Sequence, residues 1–207
     1  MLYNLSKEQI DNLFFEIAKE LKKQLKGRKF TYELIVVGGA SILLNYSFRN
    51  STVDIDCVDI NDALMNEIIN EVGDKHNLPV GWINTDFLKT NSYSAKLIQY
   101  SSFYKSYLRD TLIVRTIKDE YLIAMKVVSA RKYKNDYSDI YGIIKEKQNL
   151  SLDTILKAIE QLYGPSITID KDMMAFLNTL FENGSIDYEQ VLDSEKKEKE
   201  KIINAKK

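Results

Sequence analysis

The chain has 207 residues, of which 44% are hydrophobic and 29% charged, and its formal net charge is −1. This composition is typical of a globular protein and, with only two prolines and eight glycines, excludes collagen-like and proline-rich architectures. We expect a cytoplasmic protein with no membrane contact, because apolar runs are short and acids interrupt the first of them. The sequence has one cysteine, Cys57, and one histidine, His76, which excludes an internal disulfide and a Cys/His zinc site.

The first predicted element is a helix. Ser6 and Gln9 have the spacing of a capping box, and Gly27 lies where a helix end favours glycine. Between them an apolar stripe recurs at helical spacing. Its members are Ile10, Leu13, Phe14, Ile17, Leu21 and Leu25.

A buried strand from Tyr32 to Val37 is predicted next, because the run is rich in branched apolar residues. It runs into Gly38 and Gly39, and a short helix is predicted from there to Tyr46. Glycines at such a turn let the backbone approach a phosphate, and the N-terminus of the new helix attracts anions. A plain tight turn is the other interpretation.

The segment from Thr52 to Asp59 alternates between apolar and polar residues, which predicts a strand with one face in the core. Asp54 and Asp56 fall on the other face, where two carboxylates can share hard cations such as Mg²⁺. The residues predicted to face the core are Val53, Ile55 and Cys57. We interpret Cys57 as a buried, inert thiol.

Asn61 is placed to cap the next helix, which passes through Val72. Two or three strands are predicted between Ser92 and Arg115, including the run Lys96–Tyr100. Helical periodicity follows to the end, with an apolar stripe from Met173 to Phe181 that we interpret as core or as a docking face.

Charge is unevenly distributed along the chain. Four acids and no basic residue lie between Asp54 and Asp62, whereas Lys89 to Lys134 hold ten basic residues and three acids. The pattern is compatible with a cation site beside a phosphate-binding face, and equally with ordinary solvated surfaces. Aromatic residues interleaved with the basic stretch suit single-stranded RNA or a tyrosine-rich sheet face.

Taken in order, these motifs resemble a known superfamily. Val37-Gly38-Gly39-Ala40-Ser41 followed by Arg49-x-x-Thr52-x-Asp54-Ile55-Asp56 is similar to the signatures of the nucleotidyltransferases with a DNA-polymerase-β-like fold. The closest resemblance is to AbiEii/MenT-type toxin nucleotidyltransferases and related bacterial proteins. Further matching segments are Gly81–Asn84, Leu122–Lys126, Arg131 and Asp136–Ile140.

The resemblance implies an α+β fold, with a mixed β-sheet flanked by helices and followed by a C-terminal helical region. We predict a nucleotidyltransferase-like domain over residues 1–115 and a helical domain over residues 116–207. The implied activity is transfer of a nucleoside monophosphate from an NTP to a hydroxyl of RNA, tRNA or a protein. A two-metal Mg²⁺ site and, in a toxin–antitoxin system, an antitoxin partner are implied with it.

The resemblance also assigns roles to single residues. Gly38, Gly39 and Ser41 would cradle the triphosphate, and Asp54 and Asp56 would bind the metals. Thr52 would orient the strand that carries the metal-binding acids. Arg49 and Lys126 would contact phosphate, and Asp139 would line the site. Arg49 could instead pin its loop, and Lys126 could be an ordinary helix lysine. Arg131 and Asp136 are predicted to form an ion pair.

One feature departs from the superfamily. Active members usually carry a third carboxylate on a later strand, and the predicted strand Lys96–Tyr100 offers none. The nearest replacements are Asp86 and Asp110, and Asp139 is another possible base. The alternative function is therefore a catalytically impaired module with this fold that binds a nucleotide or a protein.

Overall fold

The structure is a computed structural model that describes residues 3–60, 62–182 and 186–205. The chain divides into two compact units, which are described separately. The first unit comprises Met1–Thr90 and Ala95–Lys118, and the second comprises Asn91–Ser94 and Asp119–Lys207.

In the described part of the first unit there are three α-helices and five strands. The helices are α1 (Lys7–Leu25), α2 (Gly38–Asn45) and α3 (Ala63–Lys75). The strands are β1 (Tyr32–Val36), β2 (Ile55–Asp56), β3 (Ile83–Asn84), β4 (Ser101–Tyr107) and β5 (Leu112–Ile117). Two 3₁₀ helices cover Asp86–Lys89 and Ala95–Tyr100.

Within the described residues, three of the strands form a mixed sheet, as predicted, and the other two form a short parallel sheet. β5 lies between β1, to which it is parallel, and β4, to which it is antiparallel. β2 pairs in parallel with β3, and an antiparallel bridge between Val36 and Cys57 connects this pair to β1. The Val37 N–H donates to the Asp56 carbonyl at 2.9 Å, so the acidic strand lies directly beside the turn that follows β1.

Helix α1 covers the core of the first unit. The predicted capping box is present, with Ser6 and Gln9 each accepting from the other's backbone N–H. Gly27 follows the helix with a φ of +87°, a conformation that glycine adopts without strain. The buried members of the predicted stripe pack into the core with β1 and β5: Ile10, Leu13, Phe14, Ile17 and Leu21.

The predicted strand around the acidic pair is shorter than expected. Thr52 makes both of its backbone hydrogen bonds to Leu5, and the chain bends at Val53 before β2 begins. Val53 is consequently 48% exposed, so the prediction that it faces the core was wrong, whereas Ile55 and Cys57 are fully buried.

Lys96–Tyr100 forms a 3₁₀ helix, and its prediction as a strand was wrong. Its composition favours a strand, but the run cannot pair with β5, because β1 and β4 already occupy both edges of that strand. Helix α3 is capped by Asp62, whose carboxylate accepts from the Met65 N–H at 2.9 Å. The predicted cap, Asn61, lies outside the described residues.

Helices form the second unit within the described ranges. They are α4 (Asp119–Ser129), α5 (Asp136–Glu146), α6 (Leu152–Tyr163), α7 (Lys171–Glu182) and α8 (Tyr188–Ala205). The α7 stripe is core, since Met173, Leu177 and Leu180 are buried. None of the helices in the described ranges has the length and apolarity that a membrane span requires.

Candidate functional site

The turn after β1 leaves a helix N-terminus without a side-chain cap. The residue in the capping position of α2 is Val37, which has no side-chain acceptor for the first N–H groups. Gly38 follows with a φ of +61°, a left-handed conformation that glycine tolerates best. Uncapped N–H groups and the positive end of the helix dipole together favour an anion at this turn.

Two charged side chains lie against the glycine pair. The Asp56 carboxylate lies so close to Gly38 that a Cβ at that position would be 3.1 Å from Oδ2. A Cβ at Gly39 would lie 2.7 Å from Nη2 and 2.9 Å from Cζ of Arg49, which real side chains do not tolerate. The guanidinium therefore occupies the space that a side chain at position 39 would fill, and a side chain at position 38 would press on the carboxylate.

Backbone hydrogen bonds hold the acidic segment against the residues of β3 and the residue before it. The Ile55 N–H donates to the Trp82 carbonyl and the Cys57 N–H to that of Asn84, each at 2.8 Å. The Thr52 hydroxyl donates to the Asp54 carbonyl at 3.1 Å, a contact through which Thr52 can orient the acidic segment. Burial alternates from Asp54 to Cys57: the two aspartates are partly exposed, whereas Ile55 and Cys57 are buried.

Ser41 has a structural contact. Its side chain is fully buried, and its Oγ accepts from the Ile117 N–H at 3.4 Å. The hydroxyl therefore connects α2 to the end of β5, adjacent to the turn.

Asp110 and Asp86 are the two acids named above as possible replacements for the third carboxylate. Asp110 lies in the β4–β5 turn, at the end of the sheet opposite to the glycine turn, because Tyr32 pairs with Leu112 and Val36 with Thr116. Asp86 is exposed and forms an ion pair with Lys89 at 2.7 Å. Within the described residues, no group of three or more Asp, Glu, His or Cys side chains is arranged to hold a metal ion.

The chain matches a known protein family. The family described as "Nucleotidyltransferase of unknown function (DUF6036)" matches residues 12–181, which include the glycine turn, the acidic pair and most of the second unit. The chain belongs to this nucleotidyltransferase family. No curated protein and no solved structure matches it significantly.

In this family member, the later motifs form a buried charge cluster in the second unit. Lys126 Nζ lies 2.9 Å from Asp136 Oδ1 and 2.8 Å from Asp139 Oδ2. The Arg131 guanidinium also binds Asp136, through Nε at 3.0 Å, so the predicted pairing of these two residues is confirmed. The side chains of Lys126, Asp136 and Asp139 are nearly inaccessible to solvent.

The cluster keeps its charges despite burial. Burial opposes ionisation of Asp136, but the adjacent Lys126 and Arg131 outweigh it and lower the pKa of this carboxyl to about 2. Burial likewise opposes the Lys126 charge, and Asp139 and Asp136 outweigh it to raise the pKa of the ammonium. Complementary partners thus stabilise ion pairs that would be unfavourable alone.

A further acid in this region could not be found from the sequence. Glu195 lies in a lysine- and glutamate-rich run, a composition typical of a solvated surface, yet it is buried. Its Oε1 accepts from the N–H groups of Tyr137, at 2.9 Å, and Ser138, at 3.2 Å, at the start of α5. Nothing in its local sequence distinguishes it from neighbouring exposed acids.

Stability should decrease as the pH rises toward 7, because of Glu195. Burial, with a contribution from Asp139, raises the pKa of this carboxyl from its ordinary value of 4.5 to about 7. The folded state therefore holds a proton that the unfolded state releases above pH 4.5, at a cost of up to about 3 kcal/mol by pH 7. Glu195→Gln should remove this dependence, as measured by urea unfolding at pH 5 and pH 7.5. An unchanged pH dependence in the variant would contradict the assignment.

The remaining notable side chains have structural roles. Trp82 is buried and donates from Nε1 to the Ile69 carbonyl at 3.1 Å. His76 Nε2 lies 3.0 Å from Glu16, a partner that the sequence did not reveal. Burial raises the pKa of the Cys57 thiol far above its usual range, so its interpretation as an inert thiol is confirmed.

Proposed function

We propose that the chain is a Mg²⁺-dependent nucleotidyltransferase that moves a nucleoside monophosphate from an NTP to a hydroxyl acceptor on RNA, tRNA or a protein. The observation that carries the proposal is the contact of Asp56 and Arg49 with the two glycines that begin α2. One turn thereby combines a metal-binding carboxylate, a guanidinium and uncapped backbone N–H groups.

The glycine turn suits a triphosphate. Backbone N–H groups at Gly38 and Gly39 can donate to phosphate oxygens, and the planar guanidinium of Arg49 matches their geometry. Arg49 also donates from Nε to the Ser51 carbonyl at 3.2 Å, which limits its movement. For Ser41 we propose a positioning role, because its buried hydroxyl connects α2 to β5.

Asp54 and Asp56 fit a magnesium site by their chemistry. Mg²⁺ prefers hard oxygen ligands and is commonly held by one or two carboxylates together with substrate phosphates and water. When bound, such an ion neutralises charge on the triphosphate and acidifies the attacking hydroxyl. Two carboxylates on one face, beside a phosphate-binding turn, match this donor set.

In the proposed reaction, the hydroxyl oxygen of the acceptor bonds to the α-phosphorus as the bond to pyrophosphate breaks. The chain orients the triphosphate through Gly38, Gly39 and Arg49, and the hydroxyl proton passes to a carboxylate. Catalytic roles for Lys126 and Asp139 remain predictions. Their mutual ion pair favours a structural role in the second unit.

A second candidate function is a binding module that holds a nucleotide without turning it over. It is favoured by the lack, among the described residues, of a three-acid cluster like that of the active superfamily members. Nucleotide binding without pyrophosphate release would support this candidate.

The proposal is tested by incubating the protein with α-labelled NTPs, Mg²⁺ and total cellular RNA or protein. We expect label to appear in one acceptor class, pyrophosphate to be released, and EDTA to stop both. If the protein binds the NTPs but neither RNA nor protein becomes labelled, the transferase proposal is excluded and the binding module is supported.

We further propose a toxin role, supported by the motif resemblance to AbiEii/MenT-type toxins. Induced expression in a bacterial host should then arrest growth, and Asp54→Asn should relieve the arrest at equal protein level. Arrest by both forms would indicate that it does not depend on transfer.

Gly39→Ala should weaken nucleotide binding by about 10-fold or more, because its methyl group would displace the Arg49 guanidinium from the turn. Isothermal titration with an NTP measures the effect. Circular dichroism and the melting temperature of the variant verify that its fold is retained. Equal affinities in wild type and Gly39→Ala would contradict the role of Arg49.

A further inference from the structure

The first unit carries a basic groove at the end of β1 opposite to the glycine turn. It has a volume of about 940 Å³ and lies between the segment after α1 and the β4–β5 turn. The Tyr32 N–H donates to the Thr111 carbonyl at 3.0 Å, which holds these two segments together. The basic side chains that line the groove are Lys22, Arg28, Lys29 and Arg109.

These four charges are exposed and exceed the acidic charge of the groove lining. In the part of the chain that the structure describes, none of them forms an ion pair. The single acid lining the groove, Asp110, accepts a hydrogen bond from the Ser106 hydroxyl. A lysine in the last turn of α1 is expected from the helix dipole. That account does not cover Arg28 and Lys29, which follow the helix, or Arg109 from a distant hairpin.

An aromatic side chain stands among these charges. Phe30 lines the groove and is 56% exposed, and its ring packs edge-on against Tyr32 with centroids 4.7 Å apart. Exposed aromatic rings beside basic residues provide the stacking platform and the phosphate contacts that single-stranded nucleic acids bind. An acidic protein would use the charges but has no need of an exposed ring.

The β4–β5 turn is strained where it presents its arginine. Leu108, Arg109 and Asp110 have φ values of +49°, +57° and +63°, a left-handed run that glycine would adopt more readily. Backbone strain kept by ordinary residues points to a function of their side chains. Arg109 is the exposed charge that this turn directs to the groove lining.

We propose that this groove binds the phosphate backbone of single-stranded RNA, with Phe30 stacking on a base. The inference deepens the proposed function, on which its biological meaning rests, by assigning a surface for an RNA acceptor. Because β1 rises ~3.3 Å per residue, the groove lies on the order of 15 Å from the glycine turn. It would therefore hold the body of the RNA and not its reacting hydroxyl.

The test is fluorescence anisotropy of the full chain with a labelled 12-nucleotide oligouridylate, without NTP or Mg²⁺. Four phosphate contacts predict a slope of log affinity against log salt concentration of about −3. Arg28→Glu combined with Lys29→Glu should weaken binding at least about 10-fold and reduce the slope by about 1.4. Lys196→Glu combined with Lys199→Glu changes two exposed lysines and the net charge equally, and should leave RNA binding unchanged.

Two single variants separate the contributions. Phe30→Ser should weaken binding about 5-fold or more at an unchanged salt slope, because it removes stacking and no charge. Arg109→Gly should weaken binding while the melting temperature stays the same or rises, because glycine relieves the strained backbone. Loss of folding is thereby excluded as the cause.

Several outcomes would overturn the inference. They are wild-type RNA affinity in the Arg28/Lys29 variant, equal weakening by the Lys196/Lys199 control, and binding to phosphatidylglycerol vesicles without binding to RNA. Asp56→Asn should bind RNA as the wild type does. A result that contradicts the transferase proposal can therefore be told apart from a result that contradicts RNA binding by the groove.

Discussion

Asp56→Asn is expected to lower the rate of nucleotidyl transfer by about 10³-fold or more while the protein stays folded. Asparagine keeps the shape of the side chain beside Gly38 but removes the negative charge that a divalent cation requires. Metal-assisted charge stabilisation is worth several kcal/mol, and each 1.36 kcal/mol is a factor of ten in rate. Initial rates with saturating labelled NTP and acceptor measure the effect, and circular dichroism verifies the fold.

Asp54→Asn should have an effect of similar size if both carboxylates hold the metal, since Asp54 lies two residues from Asp56 and is likewise partly exposed. The matched control is Asp74→Asn, which removes an exposed carboxylate from α3 of the same unit and should keep the wild-type rate. More than a tenth of the wild-type rate in the Asp54/Asp56 double variant would exclude both carboxylates from the chemistry.

The largest expected loss of stability comes from Asp136→Asn. This substitution removes the carboxylate that Lys126 and Arg131 share, and leaves the Lys126 ammonium buried with Asp139 as its one remaining ion-pair partner among the described residues. Breaking a buried pair by removing one partner costs about 3–5 kcal/mol. Urea unfolding at pH 7 measures the change in the free energy of unfolding.

The control for this prediction is Asp153→Asn. Asp153 pairs with Lys157 at 2.7 Å, but both side chains are largely exposed, and such pairs contribute less than about 1 kcal/mol. Because the pKa of Asp136 is lowered to about 2, its stabilising contribution should also be lost as the pH falls from about 4 toward 2. A destabilisation by Asp136→Asn no larger than that by Asp153→Asn would show that the cluster contributes little.

The fold was predictable where local signals agree with packing. The capping box at Ser6, the periodic stripe of α1 and the branched apolar run of β1 are strong local patterns, and the packing of the first unit agrees with each of them. The run Lys96–Tyr100 was not predictable, because the pairing of β5 with β1 and β4 decides its conformation. Long-range pairing of this kind leaves no trace in the local composition.

The candidate site was predictable in its parts but not in its contacts. The motifs nominated Gly38, Gly39, Asp56 and Arg49, whereas only the structure shows that the two charged groups occupy the space left by the missing glycine side chains. The buried role of Glu195 depends on how α8 packs on α5. The basic groove likewise depends on two segments about 80 residues apart in sequence coming together at the end of β1.

The central claim is that the glycine turn and the acidic pair form one site for a magnesium-bound triphosphate. It is tested most directly by isothermal titration of a non-hydrolysable NTP analogue, with and without Mg²⁺, into wild type and Asp56→Asn. We predict binding that Mg²⁺ strengthens in the wild type and that the substitution makes insensitive to Mg²⁺. Equal binding by both proteins, with the same response to Mg²⁺, would contradict the claim.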